Sequence, residues 1–180
     1  VYKSGLKYQK SGELWGDLKT TTKKKTMFRG INAITIDGKG RLTVPTRYRD
    51  TLAGGHEKAL LVVTIDTEET CLLLYPAAEW QIIEDKLQSL PSFNAAARRI
   101  QRLLIGHATD VELDSNGRVL LPPLLRDYAH LDKRVVMIGQ GNKFEVWDES
   151  LWQSRREKWL ADEASGEGGG LPDEMKTFSL

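Results

Sequence analysis

The segment Thr35-Ile36-Asp37-Gly38-Lys39-Gly40-Arg41-Leu42-Thr43-Val44-Pro45 is echoed 77 residues later by Glu112-Leu113-Asp114-Ser115-Asn116-Gly117-Arg118-Val119-Leu120-Leu121-Pro122. At this offset Asp37 matches Asp114, Gly40 matches Gly117, Arg41 matches Arg118, Pro45 matches Pro122 and Arg49 matches Arg126. Each of these residue types has a distinct physical task, so chance is a poor explanation for their joint recurrence. A second echo follows. Leu72-Leu73-Leu74-Tyr75-Pro76 with Trp80 is answered by Phe144-Glu145-Val146-Trp147 with Trp152, the tryptophans lying 72 residues apart because the second copy is shorter. Internal duplication therefore constrains this chain more than any other feature.

Within the first copy, Ile36, Leu42 and Val44 are apolar and Thr35 and Thr43 fall between them, the two-residue period of a half-buried strand. Asp37 can accept bonds from backbone amides ahead of it, and glycine tolerates the positive φ of a tight turn. Strand, Asp-x-x-Gly-Arg turn and strand read as a hairpin, which Pro45 ends. A short helix over Thr46–Leu52 is expected to stop at Gly54-Gly55. Strands over Ala59–Thr64 and Thr70–Tyr75 then form a hairpin through Asp66-Thr67-Glu68-Glu69. Their near-continuous apolar character implies burial of both faces. So small a unit needs partner surface for that, from the second copy, another subunit or both.

Two helices follow. Trp80, Ile83, Leu87 and Leu90 line one face of the first; Ser92 or Asn94 caps the second, whose apolar side is Ile100, Leu103 and Leu104. Arg98, Arg99 and Arg102 decorate that second helix as a solvated face, as ion-pair donors to a neighbouring subunit, or as DNA contacts. The second copy supplies a short helix over Leu124–Ala129 and a hairpin of Arg134–Ile138 with Lys143–Trp147. Asp148 caps a last helix carrying Leu151, Trp152 and Trp159.

The chain has 180 residues and 40% apolar side chains, enough for one ordinary domain or two small fused units. Net charge is +1, but residues 1–26 carry +5 and the remainder −4, so a nucleic-acid face must be a local patch. Residues 1–26 read as a disordered extension outside the main fold, or alternatively as a basic arm for phosphates. The end, after Ala164, reads as a flexible acidic tail. Cys71 is alone, which excludes an intramolecular disulfide and suits a cytosolic protein. No apolar run approaches a membrane span.

Catalysis finds no constellation here: no nucleophile with a base, no paired carboxylates, and His56, His107 and His130 scattered without metal spacing. Gly38-Lys39-Gly40 lacks the Gly-Lys-Ser/Thr and long helix of a phosphate loop. Neither metal nor cofactor is implied. DNA binding suits the residues better. Between positions 29 and 49 stand Arg29, Lys39, Arg41, Arg47 and Arg49 against Asp37 alone. A strand pair with a basic turn can enter the major groove, where arginine pairs bidentately with guanine for ~1–3 kcal/mol of discrimination. The competing reading has Arg41 locking its own turn by an ion pair to Asp37, and Arg118 doing the same with Asp114; the residues leave both open. The copies differ: the second has Asn116 where the first has Lys39, and Leu124 where the first has Arg47.

Met27-Phe28-Arg29-Gly30, the two Asp-x-x-Gly-Arg turns, Leu72-Leu73-Leu74-Tyr75-Pro76 and Arg98-Arg99-Ile100-Gln101-Arg102-Leu103-Leu104-Ile105-Gly106-His107-Ala108 together resemble the MraZ family, bacterial regulators named for the division and cell-wall gene cluster they head. The resemblance runs from Met27 to about Trp152. It implies an α+β fold of two tandem AbrB-like swapped-hairpin β-barrel units with intervening and C-terminal helices. The corresponding division is 1–26 extension, 31–78 first unit, 79–106 helical connector, 107–150 second unit, and 151–180 helix and tail. It also implies a homo-oligomeric ring, octamer or dodecamer, binding promoter direct repeats in double-stranded DNA, in the cytoplasm at the nucleoid. Repression of the cluster is the expected sign. Arg41 is then the main base reader, with Lys39, Arg29, Arg47 and Arg118 as further DNA contacts, and Asp37, Gly40, Asp114 and Gly117 as the turn framework. The alternatives are a ring scaffold without DNA readout and an antitoxin-like protein partner.

Overall fold

A computed structural model of the chain describes residues 27–53 and 59–166. The readings of 1–26, of the Gly54-Gly55 helix stop, of His56 and of the tail from 167 onward lie outside these residues. The elements run β1 (Phe28–Thr35), β2 (Arg41–Thr43), α1 (Thr46–Ala53), β3 (Leu60–Ile65), β4 (Leu72–Pro76), α2 (Ala77–Gln88) and α3 (Ala95–His107), then β5 (Thr109–Glu112), β6 (Arg118–Leu120), α4 (Pro123–Tyr128), β7 (Arg134–Gly141), β8 (Lys143–Asp148) and α5 (Glu149–Ser165). The fold is mixed α+β.

The duplication governs the topology. Six strands form an antiparallel sheet in the order β1-β7-β8-β4-β3-β5, with β2 and β6 in a separate two-stranded ribbon. Hairpins β3/β4 and β7/β8 meet at β4 and β8 in the middle. Each outer edge is taken by the first strand of the other half, β1 on β7 and β5 on β3. The order therefore repeats itself about the sheet centre, as a pseudo-twofold axis requires.

The Asp-x-x-Gly-Arg segments do not make the hairpins expected of them. Ile36 and Leu42 share a single bridge, and so do Leu113 and Val119. Beyond that bridge the strands part: β1 pairs with β7, while β2 pairs with β6 in the register Arg41 with Leu120, Leu42 with Val119 and Thr43 with Arg118. The reason is burial. Leu42, Val44, Val119 and Leu121 are fully buried, in one core cluster with Leu61, Val63, Leu72 and Leu74 of the sheet. The β7/β8 turn is also tighter than expected, because Gly139 and Gln140 pair with Phe144 and Lys143.

The sheet is apolar on both faces, as its continuous strands require. One face carries Leu61, Val63, Leu72, Leu74, Met137, Phe144 and Val146 against the ribbon and against Tyr48, Leu52 and Leu125 of α1 and α4. The other carries Val62, Leu73, Tyr75 and Trp147 against Trp80, with Ile83, Leu104 and Trp152 packed behind. Thr64, the buried polar side chain of the core, donates its hydroxyl to the carbonyl of Leu104 at 2.7 Å and ties α3 to β3. Asn94 caps α3 by accepting from the amides of Ala96 and Ala97, and Asp148 caps α5 through Leu151.

Candidate nucleic-acid interface

The two turns are built alike. The Asp37 carbonyl accepts from Gly40 N–H at 2.9 Å, and its Oδ1 accepts from the amides of Lys39 at 2.9 Å and Arg41 at 3.0 Å. Asp114 repeats this with Gly117 at 2.8 Å, Asn116 at 2.9 Å and Arg118 at 2.8 Å. Gly40 has φ +81° and Gly117 +73°, which favours glycine at both positions.

Each aspartate also holds its arginine. Nε and Nη2 of Arg41 both lie 2.7 Å from Oδ2 of Asp37. Nε and Nη2 of Arg118 lie 3.0 and 2.9 Å from Oδ2 of Asp114. The Arg41 backbone N–H is the largest influence on the Asp37 carboxyl; desolvation opposes it, and the Arg41 guanidinium and Lys39 N–H add to it, bringing the carboxyl down from an ordinary 3.8 to about 2. Asp114 is lowered for the same reasons, the Arg118 N–H first. The ion pair and a DNA role are compatible. A guanidinium has five N–H groups, and one carboxylate oxygen engages only the Nε/Nη2 side, leaving the Nη1 end for a base edge.

The ribbon orients both arginines. Leu42 and Val119 point inward, so Arg41 with Leu120 and Thr43 with Arg118 share its outer face. Leu120 and Thr43 are exposed and the two arginines half-buried. Lys39 projects from the first turn and is exposed; Asn116 takes its place on the second.

The remaining basic residues do not gather where their sequence positions suggest. Arg49 follows the first turn, yet its guanidinium covers Gly117 of the second turn and its Nε donates to the Val44 carbonyl at 2.8 Å. Arg47 is exposed but tethered: Nη2 donates to Asn32 Oδ1 at 2.8 Å and to the Tyr48 hydroxyl at 2.6 Å, and its carbon lies 4.6 Å above the Tyr48 ring. Tyr48 in turn donates to the carbonyl of Arg29, whose side chain is exposed on β1. Arg47 and the backbone of Arg29 are thus joined through the Tyr48 hydroxyl, whereas Lys39 and Arg41 belong to the first turn. The basic residue brought to the first turn from the opposite half is Arg126. In sequence Arg126 matches Arg49, but only the three-dimensional exchange between halves reveals which turn each serves. Arg98 donates to the Ser92 carbonyl; Arg99 and Arg102 on α3 are exposed and make no ion pair among the described residues.

Among the described residues no group of three or more His, Cys, Asp or Glu could hold a metal ion, and no helix is long and apolar enough to cross a membrane. Burial pushes the Cys71 thiol far up, so it stays protonated and poorly nucleophilic at neutral pH.

These features define a class: a duplicated α+β protein whose halves exchange edge strands and present two aspartate-clasped arginines on one ribbon. The family model described as "MraZ protein, putative antitoxin-like" matches residues 27–103 and again 104–165. Proteins named transcriptional regulator MraZ are similar along most of the chain. Those of Legionella pneumophila are 77% identical over 154 residues, covering 86% of this chain and all of the relative. Those of Coxiella burnetii are 54% identical and that of Halorhodospira halophila 53%, with the same coverage. The chain belongs to the MraZ family of transcriptional regulators.

Proposed function

We propose that this regulator binds double-stranded DNA through the β2/β6 ribbon, with Arg41 as the main base reader. The observation that carries the reading is the ribbon itself. A two-stranded antiparallel ribbon is one of the two elements a major groove admits, and this one turns Arg41 and Arg118 outward on a single face. Clasping by Asp37 fixes the Arg41 guanidinium before binding, which lowers the ordering cost of a base contact. Lys39 beside it adds phosphate affinity, Arg118 is the weaker reader at the other end, and Arg29 with Arg47 contacts the backbone.

In this reading, 31–78 and 107–150 are AbrB-like swapped-hairpin units, 79–106 is a helical connector, and 151–180 is the closing helix with its tail. The exchange of β1 and β5 between halves supports that description. One ribbon offers few base contacts. A homo-oligomeric ring on direct repeats multiplies them through effective concentration, occludes the promoter and represses the cluster that contains its own gene, at the nucleoid.

The test is a salt series of gel shifts on the DNA upstream of its own gene. Affinity is expected to fall steeply with salt, and Arg41→Ala to lose sequence preference with the oligomer intact by size-exclusion chromatography. A native protein that ignores this DNA at every salt concentration would favour scaffold or protein-partner roles instead.

A further inference from the structure

We propose that Arg126 is a positioning residue for the first turn, supplied by the opposite half of the chain. The proposal rests on the reading that this turn contacts DNA. A Cβ placed on Gly40 would meet the Arg126 guanidinium at 2.9 Å from its carbon and 3.0 Å from Nε. The plane of the side chain therefore lies directly on the turn glycine. A short circuit closes the contact: Arg126 Nε donates to the Leu121 carbonyl at 3.3 Å, and the Leu121 N–H donates to the Gly40 carbonyl at 3.0 Å. Arg126 also lines the hollows on both sides of the turn, one with Asp37 and Gly38, the other with Lys39 and Leu120.

Arg41 follows Gly40 directly, so whatever fixes the Gly40 peptide fixes where the Arg41 side chain starts. The pseudo-twofold axis repeats the device, with Arg49 on Gly117 and the Val44 N–H donating to the Gly117 carbonyl at 2.9 Å. Each half thus holds the other's turn. This gives the Arg49 and Arg126 match a task separate from that of Arg41 and Arg118. It also explains how Leu124 can replace Arg47 in the second copy while Arg126 stays.

The experiment compares Arg126→Met, Arg126→Lys, Arg49→Met and Arg41→Ala on the DNA upstream of the gene and on unrelated DNA of equal length, each checked for assembly by size exclusion. Loosening a reading element is expected to cost Arg126→Met about tenfold in specific affinity, with binding to unrelated DNA and the salt slope unchanged. Arg126→Lys restores charge without a plane and recovers only part of the loss. Arg49→Met, the symmetric deletion at the other turn, costs less than Arg126→Met. Native specific affinity in Arg126→Met overturns the proposal. So does an equal loss on both DNAs with a shallower salt slope, the signature of a phosphate contact. An equal loss in Arg49→Met also overturns it, marking a general stabiliser. Should Arg126→Met fail to assemble, full specific affinity in Arg126→Lys overturns it. Unchanged binding by Arg41→Ala instead rejects the underlying DNA reading, whatever Arg126 does.

Discussion

Asp37 carries two jobs with one carboxylate: Oδ1 closes the turn through backbone amides, and Oδ2 aims Arg41. The cost of protonating it follows from that. Its folded value of about 2 lies below the ordinary 3.8, so the charged form stabilises the turn above 3.8, and this contribution is lost as pH falls through about 2. A carboxylate NMR titration is expected to place the Asp37 midpoint near 2, and Arg41→Ala to raise it only partway, since the backbone donors remain. A native midpoint at the ordinary value would contradict the clasp. The composition of each turn was legible in the sequence because every partner of Asp37 lies within four residues. The choice between clasp and reader could not be made there, and the geometry removes the conflict between them.

At the scale of elements, the ribbon is the critical piece, because it joins the two halves and carries both arginines. Its inner residues have no exposed surface, so Leu42→Ala is expected to cost about 2–5 kcal/mol through lost burial and a cavity. Chemical denaturation followed by tryptophan fluorescence measures this; a change under about 0.5 kcal/mol, as for an ordinary surface site, would show that the ribbon does not close the core. Asn94→Ala removes the cap of α3 and should cost about 1 kcal/mol in the same assay. The cap, like that at Asp148, could be read locally from side-chain chemistry. The ribbon could not. Alternation in Thr35–Val44 fits a local hairpin as well as two strands sent to different partners, and what decides between them is burial of Leu42 against Val119, residues far apart in sequence. For the same reason Arg49, which follows the first turn in sequence, lies on the second.

At the scale of the whole molecule, neither half is self-sufficient. Without the second copy β1 loses β7, β4 loses β8, and β2 loses β6. Fragment 27–106 is therefore expected to be unfolded or self-associated and never a folded monomer; a dispersed NMR spectrum at monomer size would contradict this. Duplication was readable from the 77-residue offset, and so was the need for partner surface. That the second copy supplies it by exchanging edge strands is a property of the sheet order alone. Both turns adjoin the single ribbon that β2 and β6 form together. The most direct test measures binding of Arg41→Ala and Arg118→Ala to the DNA upstream of the gene beside unrelated DNA, both variants confirmed as native-sized. Arg41→Ala is expected to abolish the preference for the upstream DNA and Arg118→Ala to weaken it less. Full preference retained in Arg41→Ala would contradict it.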